Sequence, residues 1–446
     1  MLRRKAYDKM LEWKKKSSGS SALLINGARR VGKSFLCHQF AKNEYKTSII
    51  IDFANIPKEI GQLIEEESYD LDIFFMKLSA FFGTILHDRE SLIVFDEIQL
   101  LPRARQLIKY LVADGRYDYI ETGSLLSIKR NVEDIVIPSE EKHLNLFPLD
   151  FEEFLWAIGE EATIPFLKEM MLKKKPLGQM LHQKNLNLFR QYLLVGGMPQ
   201  AVNKFLEEKS FLEVDEVKRN ILTLYRNDVA KYAGRNQNKV LAIFDEIPGQ
   251  LSKKEKKYTL SSISKSARLR EYEDAFMWLD DAMITNTCFN ATDPNVGLAL
   301  SSDYNTRKCY MADTGLLVTQ SLLDNDHLEN TLYKEILFNK ISINEGMLME
   351  NVVAQTLRSN GHKLYFYSRS DKKNRANHME IDFLLSKNGK IVPVEVKSSA
   401  YRKHSSLDKF RGKYINRVGE SIILYQKDLA VREGVLHLPI YMTMFL

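Results

Sequence analysis

The stretch Gly27-Ala-Arg-Arg-Val-Gly-Lys-Ser34 fits the pattern G-x-x-x-x-G-K-[ST], and the rest of the chain can be placed around it. In this pattern, backbone N–H groups of a glycine-rich turn and of the following helix N-terminus surround phosphate oxygens. Gly27 and Gly32 permit the turn, Lys33 is expected to neutralise the β and γ phosphates, and the Ser34 hydroxyl to ligate magnesium. The candidate cradle for ATP and Mg2+ is therefore Gly27, Ala28, Arg29, Arg30, Val31, Gly32, Lys33, Ser34 and Phe35. The apolar run Ala22–Ile25 feeds the loop and a helical pattern leaves it, which disfavours the alternative of a plain surface turn.

Ser48–Phe53, Leu92–Phe95 and Tyr117–Ile120 read as three further strands with helical patterns between them. Such alternation predicts a parallel sheet covered on both faces, an α/β fold of the P-loop type. The third of the four strands ends in Asp96-Glu97, at the carboxyl edge where open α/β sheets bind ligands. Asp96 is expected to hold magnesium through water, and Glu97 to orient and deprotonate the attacking water. A carboxylate poised for water suits hydrolysis better than transfer to a bound alcohol, which argues against a kinase. Thr122 and Ser124 are candidates to face the γ-phosphate, with an ordinary strand-to-helix turn as the alternative. Arg226 is one candidate for an arginine acting in trans, in competition with Arg103, Arg105 and Arg130.

Residues 1–16 read as a basic amphipathic helix, broken by the run Ser17–Ser21. Downstream, Asp150 and Glu153 have the spacing of a capping box, and a mostly helical segment runs to about residue 235. From Val240 the pattern gives a helix, two more around 259–264 and 268–282, and strands at 284–289 and 308–312, the order of a winged helix-turn-helix. Lys253, Lys254, Lys256, Lys257, Lys265, Arg268 and Arg270 lie about its expected recognition helix, where they would meet DNA phosphates; a solvated helix face is the alternative.

Near the end, Met379–Leu385 and Ile391–Lys397 read as adjacent strands joined by a tight turn. Asp382 on the first would lie beside Glu395 and Lys397, which share one face of the second. That is the arrangement of metal-dependent phosphodiester hydrolysis. Asp382 and Glu395 would hold magnesium, Glu350 on the preceding helix would add a ligand, and Lys397 would stabilise developing negative charge. The alternative is an exposed strand face alternating apolar and charged residues.

The expected division of the 446 residues is an ATPase core at 1–145, a helical lid at 146–235, a winged helix at 236–335 and a nuclease-like domain at 336–446. A net charge of +6, from 64 basic and 58 acidic side chains, permits a polyanionic partner such as DNA. Cys37, Cys288 and Cys309 are odd in number and far apart, so neither a disulfide framework nor a cysteine zinc site is indicated. No stretch reaches the roughly 18 to 20 apolar residues that span a bilayer, and the N-terminus lacks the apolar core of a signal peptide. A cytoplasmic location with no membrane partner is expected, and assembly into a homo-oligomer stays open.

Taken in order, Gly27–Ser34, Ile93–Gln99, Thr122–Ser124, Phe147–Phe154, Tyr192–Pro199, Lys308–Gly315, Glu350-Asn351 and Glu380–Ser399 resemble the series found in a bacterial and archaeal family of AAA-type ATPases. Members of that family carry a C-terminal domain of unknown function with a restriction-endonuclease-like, PD-(D/E)XK core. The resemblance implies an ATPase core, an intervening winged helix and a terminal nuclease-type fold, with Asp382, Glu395 and Lys397 at the nuclease positions. It leaves cleavage open, because such folds also bind nucleic acid or act as docking surfaces without cutting. The chain departs from its relatives after Ser124, where Lys129-Arg130 and an acidic stretch replace a common Gly-Arg pair.

Overall fold

The computed structural model describes residues 2–66, 68–123, 138–253, 257–263, 265, 267–323, 333, 335, 344–369, 378–398 and 405–446. Two compact units emerge, residues 3–147 and residues 148–280 with 284–446. Among the described residues no helix is long and apolar enough to cross a membrane.

In the first unit, helix α1 (Lys5–Ser17) stops where Ser18 and Gly19 turn left-handed, at φ 45° and 84°. Then follow β1 (Ala22–Gly27), α2 (Lys33–Glu44), β2 (Thr47–Asp52), α3 (Lys58–Glu66), α4 (Leu71–Phe82), β3 (Ser91–Asp96), α5 (Pro102–Asp114), β4 (Asp118–Gly123) and β5 (Glu141–Leu146). The strands form one parallel sheet in the order β2-β3-β4-β1-β5. Every residue of β1, β3 and β4 is buried, as expected of strands covered by helices on both faces. The period of two sorts them: Leu92 and Val94 pack with Met10 and Trp13 of α1, whereas Ile93 and Phe95 pack with α3, α4 and α5.

Strand β5 lies beyond the point where strand signals fade in the sequence. In Glu141–Leu146 Leu144 and Leu146 are the buried apolar side chains, and the alternation is too short and polar to stand out. It pairs with β1 along all six residues from Ala22 to Gly27 and closes the sheet beside the phosphate loop.

The second unit opens with α6 (Phe151–Ala157), where the capping box forms: Glu153 N–H donates to Asp150 at 2.9 Å and Asp150 N–H donates to Glu153 at 3.2 Å. Helices α7 (Thr163–Lys173), α8 (Gln179–Val195), α9 (Pro199–Glu208), α10 (Phe211–Tyr232), α11 (Gln237–Ser252) and α12 (Leu269–Asp281) follow. The helix expected at 259–264 is a single 3-10 turn, Leu260–Ser262. Strands β6 (Thr285–Ala291) and β7 (Ser302–Met311) form the expected hairpin, followed by α13 (Thr314–Ser321), α14 (Glu345–Ser359) and β8 (Tyr365–Arg369). β8 adds to the outer edge of β6, and β9 (Met379–Ile381) adds to β8, giving the order β7-β6-β8-β9. The hairpin is thus part of a sheet shared with the C-terminal segment.

The single strand expected at Met379–Leu385 is split. Asp382 separates β9 from β10 (Phe383–Lys387), which belongs to a second sheet with β11 (Lys390–Val396), β12 (Ser421–Tyr425), β13 (Ala430–Arg432) and β14 (Val435–Pro439), in the order β10-β11-β12-β14-β13. At the break the Asp382 carboxylate accepts the Val396 N–H at 2.9 Å. Helix α15 (Ser405–Lys413) contributes Leu407 and Phe410 to the core on this sheet.

Sequence motifs far apart in the second unit converge on one buried polar knot. Asp313 accepts the N–H groups of Gly197 at 2.6 Å and Leu316 at 2.8 Å. Gln355 accepts from Thr314 N–H and Oγ1, both at 2.8 Å, and donates to the Tyr192 hydroxyl at 2.9 Å, which donates to Leu149 O at 2.7 Å. Asn351 bonds both backbone groups of Met311. A Cβ on Gly315 would meet the Gly196 Cα at 2.5 Å, so these two backbones pack in direct contact. Lys218 donates to Leu194 O and Gly315 O at 2.6 and 3.3 Å, and burial pulls its pKa down to about 8 against the attraction of Asp215 and Asp313.

Candidate nucleotide site and the C-terminal carboxylates

β1 ends at Gly27, where any Cβ would meet the Leu146 carbonyl oxygen of β5 at 2.5 Å. The glycine is required by this close approach. The loop then turns through left-handed Arg30 (φ 67°) and Gly32 (φ 97°) into α2, whose N-terminus has no side-chain cap. Its first N–H groups are therefore open to an acceptor from outside the helix, water or anion. Arg4 holds the loop from behind, donating to Val31 O at 3.2 Å and to Phe147 O at 2.6 Å. Nothing in the spacing of the first helix marked Arg4 for this role, and the lone signal is an arginine just before an amphipathic run.

Lys33 is 6% exposed and donates to Gly27 O at 3.0 Å and Ala28 O at 3.3 Å, folded back on its own loop. Burial lowers its pKa, and Glu97 and Asp96 oppose that shift. Ser34 Oγ donates to Asp96 Oδ1 at 3.0 Å, and Thr122 Oγ1 donates to the same oxygen. Thr122 also accepts the Glu97 N–H at 3.1 Å. Glu97 is left-handed (φ 57°), an unusual conformation for a non-glycine residue, and its carboxylate accepts from Gln99 Nε2 at 2.5 Å. The ends of β1, β3 and β4 thus bring Lys33, Ser34, Asp96, Glu97 and Thr122 to one edge of the sheet. Ser124 lies outside the described residues, and Phe35 is 56% exposed.

Asp382 reaches the Glu395–Lys397 stretch through the Val396 N–H, and the C-terminal carboxylates also meet a lysine from outside the expected set. Lys308 of β7 is 1% exposed, and its Nζ lies 3.0 Å from Glu380, 3.5 Å from Asp382 and 3.7 Å from Glu350. Burial alone would pull its pKa down, but Glu350, Asp382 and Glu380 outweigh it and hold the ammonium well above its ordinary value. Glu350 also accepts from the Tyr310 hydroxyl at 3.2 Å. Lys397 pairs with Glu395, its neighbour two residues away on β11. Glu350, Asp382, Glu395 and Lys397 were expected around magnesium; two of these acids face Lys308 and the third faces Lys397. Among the described residues no group of three or more His, Cys, Asp or Glu is arranged to hold a metal ion. The donor set as it stands does not fit a divalent cation.

Residues 19–155 match the family model of an AAA domain. Residues 19–155 form an AAA-type P-loop ATPase domain. Residues 186–327 and 345–442 match two domains of unknown function, DUF8612 and DUF4143. No curated protein matches the chain. Among solved structures, the chain aligns with Aeropyrum pernix ORC1 in complex with DNA at 15% identity and TM-score 0.24, covering 73% of this chain and 93% of that one. Aeropyrum pernix ORC2 in its ADP form aligns at 10% identity and TM-score 0.29, covering 77% and 95%. C. elegans PCH-2 aligns at 14% identity and TM-score 0.21, covering 36% and 47%. Alignments this weak add nothing to the domain match and the loop geometry.

Within the AAA domain, Arg105 leaves the set of candidate trans-acting arginines. It is 3% exposed and forms a two-bond pair with Glu141, at 2.9 and 2.6 Å, tying α5 to β5. Arg103 is exposed and donates to Gln106 at 2.8 Å. Outside the AAA domain, Arg226 pairs with Asp245 at 2.6 Å and stacks on Phe244. Arg130 lies outside the described residues.

Proposed function

We propose that the protein hydrolyses ATP with magnesium and that its nucleotide state governs a DNA-binding second unit whose nuclease-like fold does not cleave. The observation that carries the ATPase part is the meeting of Ser34 and Thr122 on one oxygen of Asp96, beside Lys33 and Glu97. The loop N–H groups and Lys33 bind the phosphates, and phosphate charge replaces the carbonyls that Lys33 now contacts. Ser34 and Asp96 are the residues that would hold Mg2+, which supplies charge neutralisation on the β and γ phosphates when bound. Glu97 takes the proton of the attacking water, and Thr122 positions the Glu97 backbone.

Inside the second unit we divide the chain into a helical lid (146–235), a winged helix (236–335) and a nuclease-like domain (336–446). The order α11, a 3-10 turn, α12 and the β6–β7 hairpin supports the winged helix. Lys265, Arg268 and Arg270 are exposed at the leading end of α12, and Lys253 and Lys257 lie at the edges of a segment containing Lys254 and Lys256, which are outside the described residues. Along α12 itself Glu271, Glu273, Asp274, Asp280 and Asp281 outnumber Arg270. Phosphate contact therefore belongs to the leading end of this helix and not to its length. The non-cleaving reading is favoured by Lys308, whose ammonium is already among the acids.

Phosphate release from ATP, measured with and without duplex DNA for wild type and Lys33→Ala, tests this reading. Hydrolysis lost in Lys33→Ala and altered by DNA supports it; hydrolysis that ignores DNA, with no DNA binding at low salt, removes the DNA arm. Plasmid cleavage with magnesium that disappears in Asp382→Ala would replace the silent fold with a nuclease.

A further inference from the structure

We infer that Lys308 is the resident cation of the C-terminal carboxylate cluster, standing in for a divalent metal and locking the β6–β7 hairpin to the nuclease-like layer. This deepens the silent-fold reading above and rests on it. An ion held by Glu350 and Asp382 at the oxygen distances of magnesium, about 2.0–2.1 Å, would lie between the oxygens that Lys308 Nζ already faces at 3.7 and 3.5 Å. The ammonium and a divalent ion would then compete for one position and repel each other across it.

Lys308 is not placed to leave. It stands opposite Cys288 in the β6–β7 ladder, its ammonium lies 5.1 Å from the Phe366 ring centre on β8, and β8 covers the other edge of β6. At 1% exposure the side chain is packed on all sides, so withdrawing it means opening that packing. The three acids come from separate places: Glu350 from α14, Glu380 from β9 and Asp382 from the turn between the two sheets. One ammonium thereby ties a helix, the first sheet and the turn leading into the second sheet together, the role a structural metal would otherwise fill. Glu395, the remaining acid of the expected metal set, has its own cation in Lys397.

The test is a titration of Mn2+ into nucleotide-free, full-length protein, with free Mn2+ counted by electron paramagnetic resonance. Wild type, Asp382→Asn and Glu350→Gln are expected to bind the same number of ions. Lys308→Gln is expected to gain one, and to lose it again when Asp382→Asn is added. A wild type that binds one ion more than both acid variants overturns the inference, as does a folded Lys308→Gln that gains none. If Lys308→Gln fails to fold, the wild-type comparison still decides. ATP turnover measured on the same samples keeps the two readings apart: its absence throughout counts against the ATPase, while the ion count judges Lys308 independently.

Discussion

The Ser34 hydroxyl lies 3.0 Å from Asp96 Oδ1, joining the first turn of α2 to the end of β3 beside the glycine-rich loop. Thr122 donates to the same oxygen, so one carboxylate atom organises two strand ends and the start of a helix. Replacing Asp96 with Ala is expected to lower magnesium-dependent turnover by about a hundredfold or more, the scale of losing several kcal/mol of charge stabilisation. Nucleotide binding without magnesium should change far less. Turnover within about twofold of wild type would show that Asp96 is not the organising acid.

Glu97 sits in a left-handed conformation, with its N–H on Thr122 and its carboxylate on Gln99. In its proposed role of general base it should contribute roughly 10²- to 10⁴-fold to turnover. Glu97→Gln is expected to bind ATP as tightly as wild type in a fluorescent-nucleotide titration while hydrolysing it slower by that factor. Equal losses in binding and turnover would point to a collapsed loop instead.

Gly315 packs on Gly196 so closely that an added Cβ would sit 2.5 Å from its Cα. The Gly196 Cα is a backbone atom and cannot swing aside as the end of a flexible side chain could. Gly315→Ala is expected to destabilise the second unit by about 1–3 kcal/mol, the usual cost of overpacking, visible in urea unfolding. A midpoint equal to wild type would mean that the Gly196–Gly315 contact can open without cost.

Lys218 gives a pH signature. Its pKa falls from the ordinary 10.5 to about 8 because it is buried, with Asp215 and Asp313 opposing the shift. Between those values the unfolded chain binds more protons than the folded one, so stability should rise with pH across that window; below it the full cost of the buried charge applies. Urea midpoints measured across the window should rise less in Lys218→Met than in wild type. Identical slopes would show that another group titrates there.

Removing Lys308 leaves Glu350, Glu380 and Asp382 facing one another without their shared cation. Breaking a buried ion pair from one side commonly costs about 3–5 kcal/mol, and Lys308→Met is expected to fall in that range. Restoring stability by adding Glu380→Gln would locate the cost in the cluster, whereas a double variant no more stable than Lys308→Met would place it in lost packing.

How far the sequence could be read depended on how local each signal was. The phosphate loop, the Asp96-Glu97 strand end and the Asp150 capping box are contiguous, and the residues that act together lie within a few positions of each other. Strand β5 escaped notice because two buried leucines in a polar hexapeptide make too weak an alternation. Arg4 and Lys308 escaped for another reason: each acts on residues far along the chain, Arg4 on Phe147 and Lys308 on Glu350, Glu380 and Asp382. The split at Asp382 likewise depends on the Val396 N–H, a partner no periodicity reveals. In Lys308-Cys-Tyr-Met311 the one hint was a lysine leading an otherwise apolar stretch, which in a buried strand requires a countercharge.

The most direct measurement is steady-state ATP turnover with magnesium for wild type beside Lys33→Ala, on protein shown to be folded. Lys33 lies buried in the loop, bonded to Gly27 O and Ala28 O. Wild type should release phosphate and Lys33→Ala should not, with nucleotide affinity reduced in the variant. Equal turnover in the two proteins, or no turnover in wild type despite tight ATP binding, would contradict the ATPase assignment.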